Sequence, residues 1–340
     1  MYYNEAFDTG VTMPTGVYYK ATGYTVGNNS VLDYYFDSSG APQKIYNLSG
    51  NTTLYCRWEQ RYSGTYIKTE EELRAIGETG TYHIINDIVL LKEWIPIEIF
   101  SGYLVGHDHT IDGLKFTYTS DKDNYGEVQT MYGFIRELKS DGSVSDLTFR
   151  NLQISVTKYK DDQTSTYVGA VVGYITRGYL TNVHVVDSDI YANHFREVSS
   201  SSKSVNTFVG ALAGYVSVGT IADCSVSGNT TIYGEAGKAE GSAAARSFVG
   251  GIVGYSYSGN INECTRADSV KVSAYTTTVK SSSAECVAVV GGIVGGRDAR
   301  FADSTADCTS TLTNLSADGI ASKGSSTILV GYDCGWNYLF

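Results

Sequence analysis

Phe248-Val249-Gly250-Gly251-Ile252-Val253-Gly254-Tyr255 is the stretch that decides the fold, because it recurs. Upstream stand Phe208-Val209-Gly210-Ala211-Leu212-Ala213-Gly214-Tyr215 and Tyr167-Val168-Gly169-Ala170-Val171-Val172-Gly173-Tyr174. Downstream stand Val289-Val290-Gly291-Gly292-Ile293-Val294-Gly295-Gly296 and the fragment Leu329-Val330-Gly331-Tyr332. The first glycine of each copy falls at 169, 210, 250, 291 and 331, so the spacings are 41, 40, 41 and 40. A period this regular marks a repeat architecture and overrides local readings.

Each copy continues with a second motif: Gly178-Tyr179-Leu180-Thr181-Asn182-Val183, Gly219-Thr220-Ile221-Ala222-Asp223-Cys224 and Gly259-Asn260-Ile261-Asn262-Glu263-Cys264. An alternating piece follows, such as Ser269-Val270-Lys271-Val272-Ser273-Ala274-Tyr275. These runs are short, rich in Val, Ile and Tyr, and bounded by Gly, Asn and Asp, as strands are. The unit therefore reads as about three strands and one longer loop. A four-stranded propeller blade also fits forty residues, but the register favours a coil. Two residues before the first glycine come Tyr167, Phe208, Phe248, Val289 and Leu329. Fourteen residues after it come Val183, Cys224, Cys264 and Thr305. Like residues at like offsets are what stacked strands about 4.8 Å apart turn into side-chain ladders. The fold class is all-β, a right-handed parallel β-helix, the handedness resting on that of parallel crossovers.

The pattern V-G-G-[IL]-V-G-Y followed by G-x-[IL]-x-x-C resembles the GLUG-motif repeat of bacterial surface β-helix proteins. That resemblance covers about residues 130–340. It implies the stalk of an adhesin or of an IgA-specific metallopeptidase. The last full copy departs from it, with Gly296-Arg297-Asp298-Ala299-Arg300-Phe301 in place of the usual Tyr and Gly-x-Ile.

Residues 1–60 differ. Leu32-Asp33-Tyr34-Tyr35-Phe36-Asp37, Ile45-Tyr46-Asn47-Leu48 and Thr52-Thr53-Leu54-Tyr55-Cys56-Arg57-Trp58 read as strands between Gly and Asn turns. From Gly23 to Trp58 this part resembles the Listeria–Bacteroides repeat, also called the internalin-B repeat. That implies a small β-grasp-like bead, of which Tyr2 to Phe7 would supply part of the first strand. Residues 61–340 then form the β-helix, clearest over 167–340. It opens with a short capping helix. Thr69 is its N-cap, Glu72 stands three residues on, and Gly77 ends it. Such a helix covers the end of a solenoid, whose first strands otherwise expose an edge. Tyr82 to Leu90 reads as the opening strand. Phe100-Ser101-Gly102 through Ile111-Asp112-Gly113-Leu114 resembles the entry coils of bacterial β-helix proteins.

The 340 residues carry a net charge of −11, with 28 Tyr, 37 Gly and only 3 Pro. That charge argues against nucleic acid as a partner. No apolar run is long enough to span a membrane. Met1 is followed by Tyr2-Tyr3-Asn4-Glu5 and not by a secretory signal. The chain therefore reads as an internal segment of an extracellular or cell-surface protein.

Several clusters invite chemistry. His107-Asp108-His109 with Asp112 is the densest; it could be a metal site or an acid/base set, while the resemblance to entry coils implies a polar turn between coils. Asp121, Asp123 and Glu127 form a partial calcium loop, but Tyr132 stands where a bidentate Glu belongs. At offset 18, Asp187 aligns with Gly228, Asp268 and Thr309, which makes no acidic cleft. Neither H-E-x-x-H nor G-x-S-x-G occurs. The sequence assigns no catalytic residue and no cofactor. Cys224 and Cys264 stack on adjacent coils as buried thiols or as a disulfide, an alternative left open. Tyr174, Tyr215 and Tyr255 form a ladder read first as structural, while surface Tyr also suits glycan or protein ligands. Loops at Asn193–Asn206, Glu235–Ser247 and Thr276–Glu285 leave at one point of successive coils and should cluster as a binding face. The expected function is a non-enzymatic, rigid solenoid for adhesion. The alternative is a carbohydrate-active β-helix enzyme, either a lyase or a glycoside hydrolase.

Overall fold

The computed structural model describes residues 17–26, 30–32, 54–120, 130–159, 165–196, 204–238, 244–278, 285–298, 305–306, 308–321, 326–331 and 334–338. The chain divides into two compact units, Met1–Gly64 and Thr65–Phe340. In the first, Val17–Val26 pairs antiparallel with Ser30–Leu32 on one side and Leu54–Tyr62 on the other. The expected strand from Thr52 is thus seen from Leu54. The readings over Tyr2–Phe7, Asp33–Asp37 and Ile45–Leu48 lie outside the described residues.

The second unit is a parallel β-solenoid of about five turns, as the repeat demands. One coil shows its plan. Val205–Gly210 forms the first face, Ala213–Ala222 with Ser225–Ser227 the second, and Thr231–Lys238 the third. Every face continues in parallel register into the next coil. Phe208 pairs with Phe248, Gly210 with Gly250, Tyr215 with Tyr255 and Ile232 with Val272. Parallel sheets need cover on both sides. Here the inward side is a common core of Val, Ile, Leu and Ala, including Val209, Val249, Ile221, Ile261, Ile232 and Val272.

Two glycine columns explain the V-G-x-x-V-G-Y signature. A Cβ on Gly254 would lie 2.5 Å from the Val209 nitrogen, and one on Gly214 would lie 2.5 Å from the Val168 nitrogen. The second-face strand thus crosses the first-face strand of the preceding coil at backbone contact, which any side chain would block. Outside this crossing, two ring columns fill the corner. Phe208 and Phe248 stack at 5.4 Å and Tyr215 and Tyr255 at 5.4 Å, while Phe248 meets Tyr255 edge-on at 5.5 Å. The Tyr ladder is packing, as first read.

Bends within a coil are made by left-handed residues. Asp146, Asn182, Asp223 and Glu263 have φ of 52°, 53°, 56° and 52°, each just before the Leu147–Val183–Cys224–Cys264 column. A second column holds Gly113, Asn151, Asp187 and Gly228, with φ of 78°, 54°, 49° and 69°. Gly, Asn and Asp tolerate this conformation best.

Four expectations need correction. Thr305 does not continue the cysteine column. It pairs with Ile261, while the Thr265–Thr309 bridge places Cys308 over Cys264. Between the pairs Val253–Val294 and Ile261–Thr305 the later coil holds three more residues, in the atypical segment after Gly295. The same shift removes Thr309 from the offset-18 column. Tyr82–Leu90 is two short strands, Thr81–Ile84 and Ile88–Val89. The helix α1, Glu70–Arg74, ends at the C-cap Ala75, before Gly77. Its capping box is present: Thr69 Oγ1 accepts from the Glu72 amide at 3.3 Å and Glu72 accepts from the Thr69 amide at 3.2 Å. Cys224, Cys264, Cys286 and Cys308 form no disulfide, so the Cys224–Cys264 pair is a stack of thiols.

A candidate ligand-binding face

The third face carries the most suggestive side chains. Its strands are Lys115–Thr119, Gln153–Tyr159, Asp189–Arg196, Thr231–Lys238, Lys271–Thr278 and Leu315–Ala321. Strand alternation sends Ile190, Ala192 and His194 inward, where they are buried, and leaves Tyr191, Asn193 and Phe195 outward. Register then builds outward columns across coils. One runs Ser155, Tyr191, Tyr233, Ser273; the next runs Thr157, Asn193, Glu235, Tyr275, Asp318. The Tyr191 and Tyr233 rings are 6.0 Å apart. Tyr159 and Phe195 stack at 5.9 Å. The Phe195 ring lies against its column partner Gly237, where a Cβ would strike it.

Polar groups sit between the rings. Tyr233 donates its hydroxyl hydrogen to Glu235 Oε2 at 2.9 Å. Burial pushes the Glu235 carboxyl above the usual range, against the lowering effect of that bond. Burial, the bond to Glu235 and its charge push the Tyr233 phenol up too. Tyr275 is raised by burial, then by Glu235 and Asp318. The side-chain oxygen of Asn193 is covered and has no hydrogen-bond donor among the described residues. Stacked rings beside an acid and an unused amide oxygen suit a ligand with apolar faces and hydroxyl groups.

The strands of this face end in register at Arg196, Lys238 and Thr278, and the chain returns in register at Val205, Ala245 and Cys286. Exit and re-entry points therefore stack, as the repeat implies. The expected loops are shorter than read, since Asn193–Arg196, Glu235–Lys238 and Thr276–Thr278 are strand. The sequence marked the spacing of these loops but not the rings beside them. Tyr191, Tyr233 and Tyr275 share no single offset, so no ladder was visible.

The residues singled out for chemistry lie elsewhere. Asp121, Asp123 and Glu127 lie outside the described residues. His107 and Asp108 take φ of 49° and 63° inside the strand Tyr103–Asp112, so they form a bend within a coil and not a turn between coils. That bend sends its side chains apart. His107 Nε2 meets His83 Nδ1 at 2.9 Å, His109 Nδ1 meets Asp87 at 3.1 Å, and Asp112 accepts from Arg150 at 2.6 Å. Burial first, then His83, holds the His107 imidazole below its ordinary range. No group of three metal-ligating side chains is assembled among the described residues. No described helix is long and apolar enough to cross a membrane.

No family model matches the chain, and no curated protein matches it. A solved structure, a "putative immunoglobulin A1 protease" from Bacteroides ovatus, is similar at 15% identity and a TM-score of 0.44, covering 79% of this chain and 83% of that one.

Proposed function

We propose that this chain is a non-enzymatic segment of a bacterial cell-surface or secreted protein, whose stiff solenoid presents a glycan-binding face for adhesion. The observation that carries the reading is the outward third face: Tyr159, Tyr191, Phe195, Tyr233 and Tyr275 surround Asn193 and Glu235 on stacked coils. Tyr supplies contact area at low entropic cost, and rings lie against the apolar faces of sugars. The net charge of −11 favours neutral over acidic glycans. The likeness of the repeats to the GLUG motif, and of the N-terminal unit to the Listeria–Bacteroides repeat, supports a place outside the cell.

Binding of the purified chain to arrays of glycans and matrix proteins tests this. Neutral oligosaccharides are expected to bind, and Tyr191→Ala and Tyr233→Ala to weaken them about tenfold each. Binding that both variants retain overturns the assignment to this face.

A second reading has one observation in its favour. Glu235, held above the usual carboxylate range, has the character of a general acid. The chain would then be a carbohydrate-active enzyme. A turnover screen on host and plant polysaccharides, with and without calcium, separates the two. Turnover lost in Glu235→Gln selects the enzyme.

A further inference from the structure

Near the helix-capped end, the second face is one rung short among the described residues. Ile97–Phe100 pairs with Ile135–Leu138 on one side, and no described strand pairs with its other side. The chain just beyond it is covered: Ser101 donates to the Glu78 carbonyl at 2.8 Å, and Tyr103–Val105 pairs with Thr81–His83. The gap exists because the chain preceding Glu78 is taken up by α1. In its place is a cleft of about 430 Å³, lined by Ile76, Trp94, Ile95 and Ile97 with Glu78 and Glu98 at its sides.

Three features say what fits. First, backbone groups along a parallel strand address its two neighbours alternately. The Ile97 amide donates to Phe134 O at 3.1 Å, so the backbone of Glu98 addresses the open side. Second, the lining is apolar and open to solvent: Ile95 is 77% exposed. Third, the free charge is negative. Arg74 is spent on Glu70, on the carbonyls of Lys92 and Glu93, and on the Trp94 ring at 5.1 Å. Glu98 is paired with Arg136, while Glu78 is paired with no cation among the described residues.

We propose that this cleft binds an extended segment of another protein, which adds to Ile97–Phe100 as the absent rung. One apolar side chain of that segment sits among Ile76, Trp94, Ile95 and Ile97, and a neighbouring Lys or Arg meets Glu78. Backbone bonds give the affinity in such strand addition, and side-chain pockets give the choice of partner. A small apolar molecule would leave the Glu98 amide and carbonyl unmet, which is why the edge selects a peptide.

The test is a titration of the full isotope-labelled chain with the blocked peptide Thr-Val-Lys-Val-Thr-Val, read by amide chemical shifts. The Glu98 and Ile99 amides are expected to move. N-methylation at the central Lys and its replacement by Glu are each expected to weaken binding about tenfold. Ile95→Asp is expected to do the same without moving the thermal midpoint, since that side chain is exposed. A Glu98 amide that stays still at millimolar peptide, or binding that tolerates N-methylation, overturns the proposal.

Discussion

Gly254 shows how strictly single residues are constrained. Its absent Cβ leaves room for Val209 N and Gly214 O, each 2.5 Å from where that atom would sit. Both obstacles are backbone, so neither yields without moving a strand. Gly254→Ala is expected to destabilise the solenoid by about 1–3 kcal/mol or more, the range for overpacking. Gly77→Ala, whose Cβ would meet only the Tyr82 hydroxyl at 3.3 Å, is the control and should have a smaller effect. Urea unfolding of the two variants checks this. His107 gives a second prediction. Its imidazole is lowered in the fold by burial and by His83, although Asp146 and Asp108 pull the other way. His184 is lowered by burial too. A depressed value means the unfolded chain takes up the proton first as pH falls. Stability from these groups is therefore complete above about pH 6.5, the unperturbed imidazole value, and lost as pH drops toward the folded value. Urea midpoints should decline below that pH, and His107→Gln should flatten the decline.

Among elements, the five-residue helix α1 is too short to persist alone, so its caps and packing hold it. Its capping box was readable from Thr69 and Glu72. The role of Glu70 was not. This buried acid accepts from the amides of Leu91 and Lys92 at 3.0 and 3.3 Å and pairs with Arg74 at 2.6 Å. It pins the helix to a segment 21 and 22 residues on, a contact with no local signature. Thr69→Ala should cost about 1 kcal/mol and Leu73→Ala about 2–5 kcal/mol. Amide exchange at Ile67 and Ile84 should speed up in both. Arg266 is the parallel case at the far end. Its guanidinium is buried and donates to the carbonyls of Val270, Thr311 and Thr313 at 2.8, 2.6 and 3.0 Å. It holds the coil that follows the stretch where the repeat motif departs from its pattern. A lone Arg in a strand pattern gives no hint of that.

For the whole solenoid, stability is a sum of coils and their contacts, so opening should begin at the ends. The thiols report it. Cys264 is buried and its thiol is pushed up to about 12, first by its bond with Cys224. Cys308 lies one coil later and is half-buried. A thiol reagent in native buffer should label Cys308 before Cys264 and Cys224, and the order should vanish in urea. Equal rates would mean the solenoid opens as one unit.

The forty-residue period, read through Phe208, Phe248, Tyr215 and Tyr255, determined the solenoid and most of its rungs. Equal spacing with like residues at like offsets favours parallel stacking as the way to bury every copy. The bend columns also have a sequence counterpart, Asn, Asp or Gly at every position but Glu263. Only the tertiary structure placed Cys308 over Cys264, because three added residues shift the register where the motif fails. It alone brought Tyr191, Tyr233, Asn193 and Glu235 together and opened the cleft beside Ile97. Those groupings come from side-chain direction across neighbouring coils, which a linear pattern does not carry.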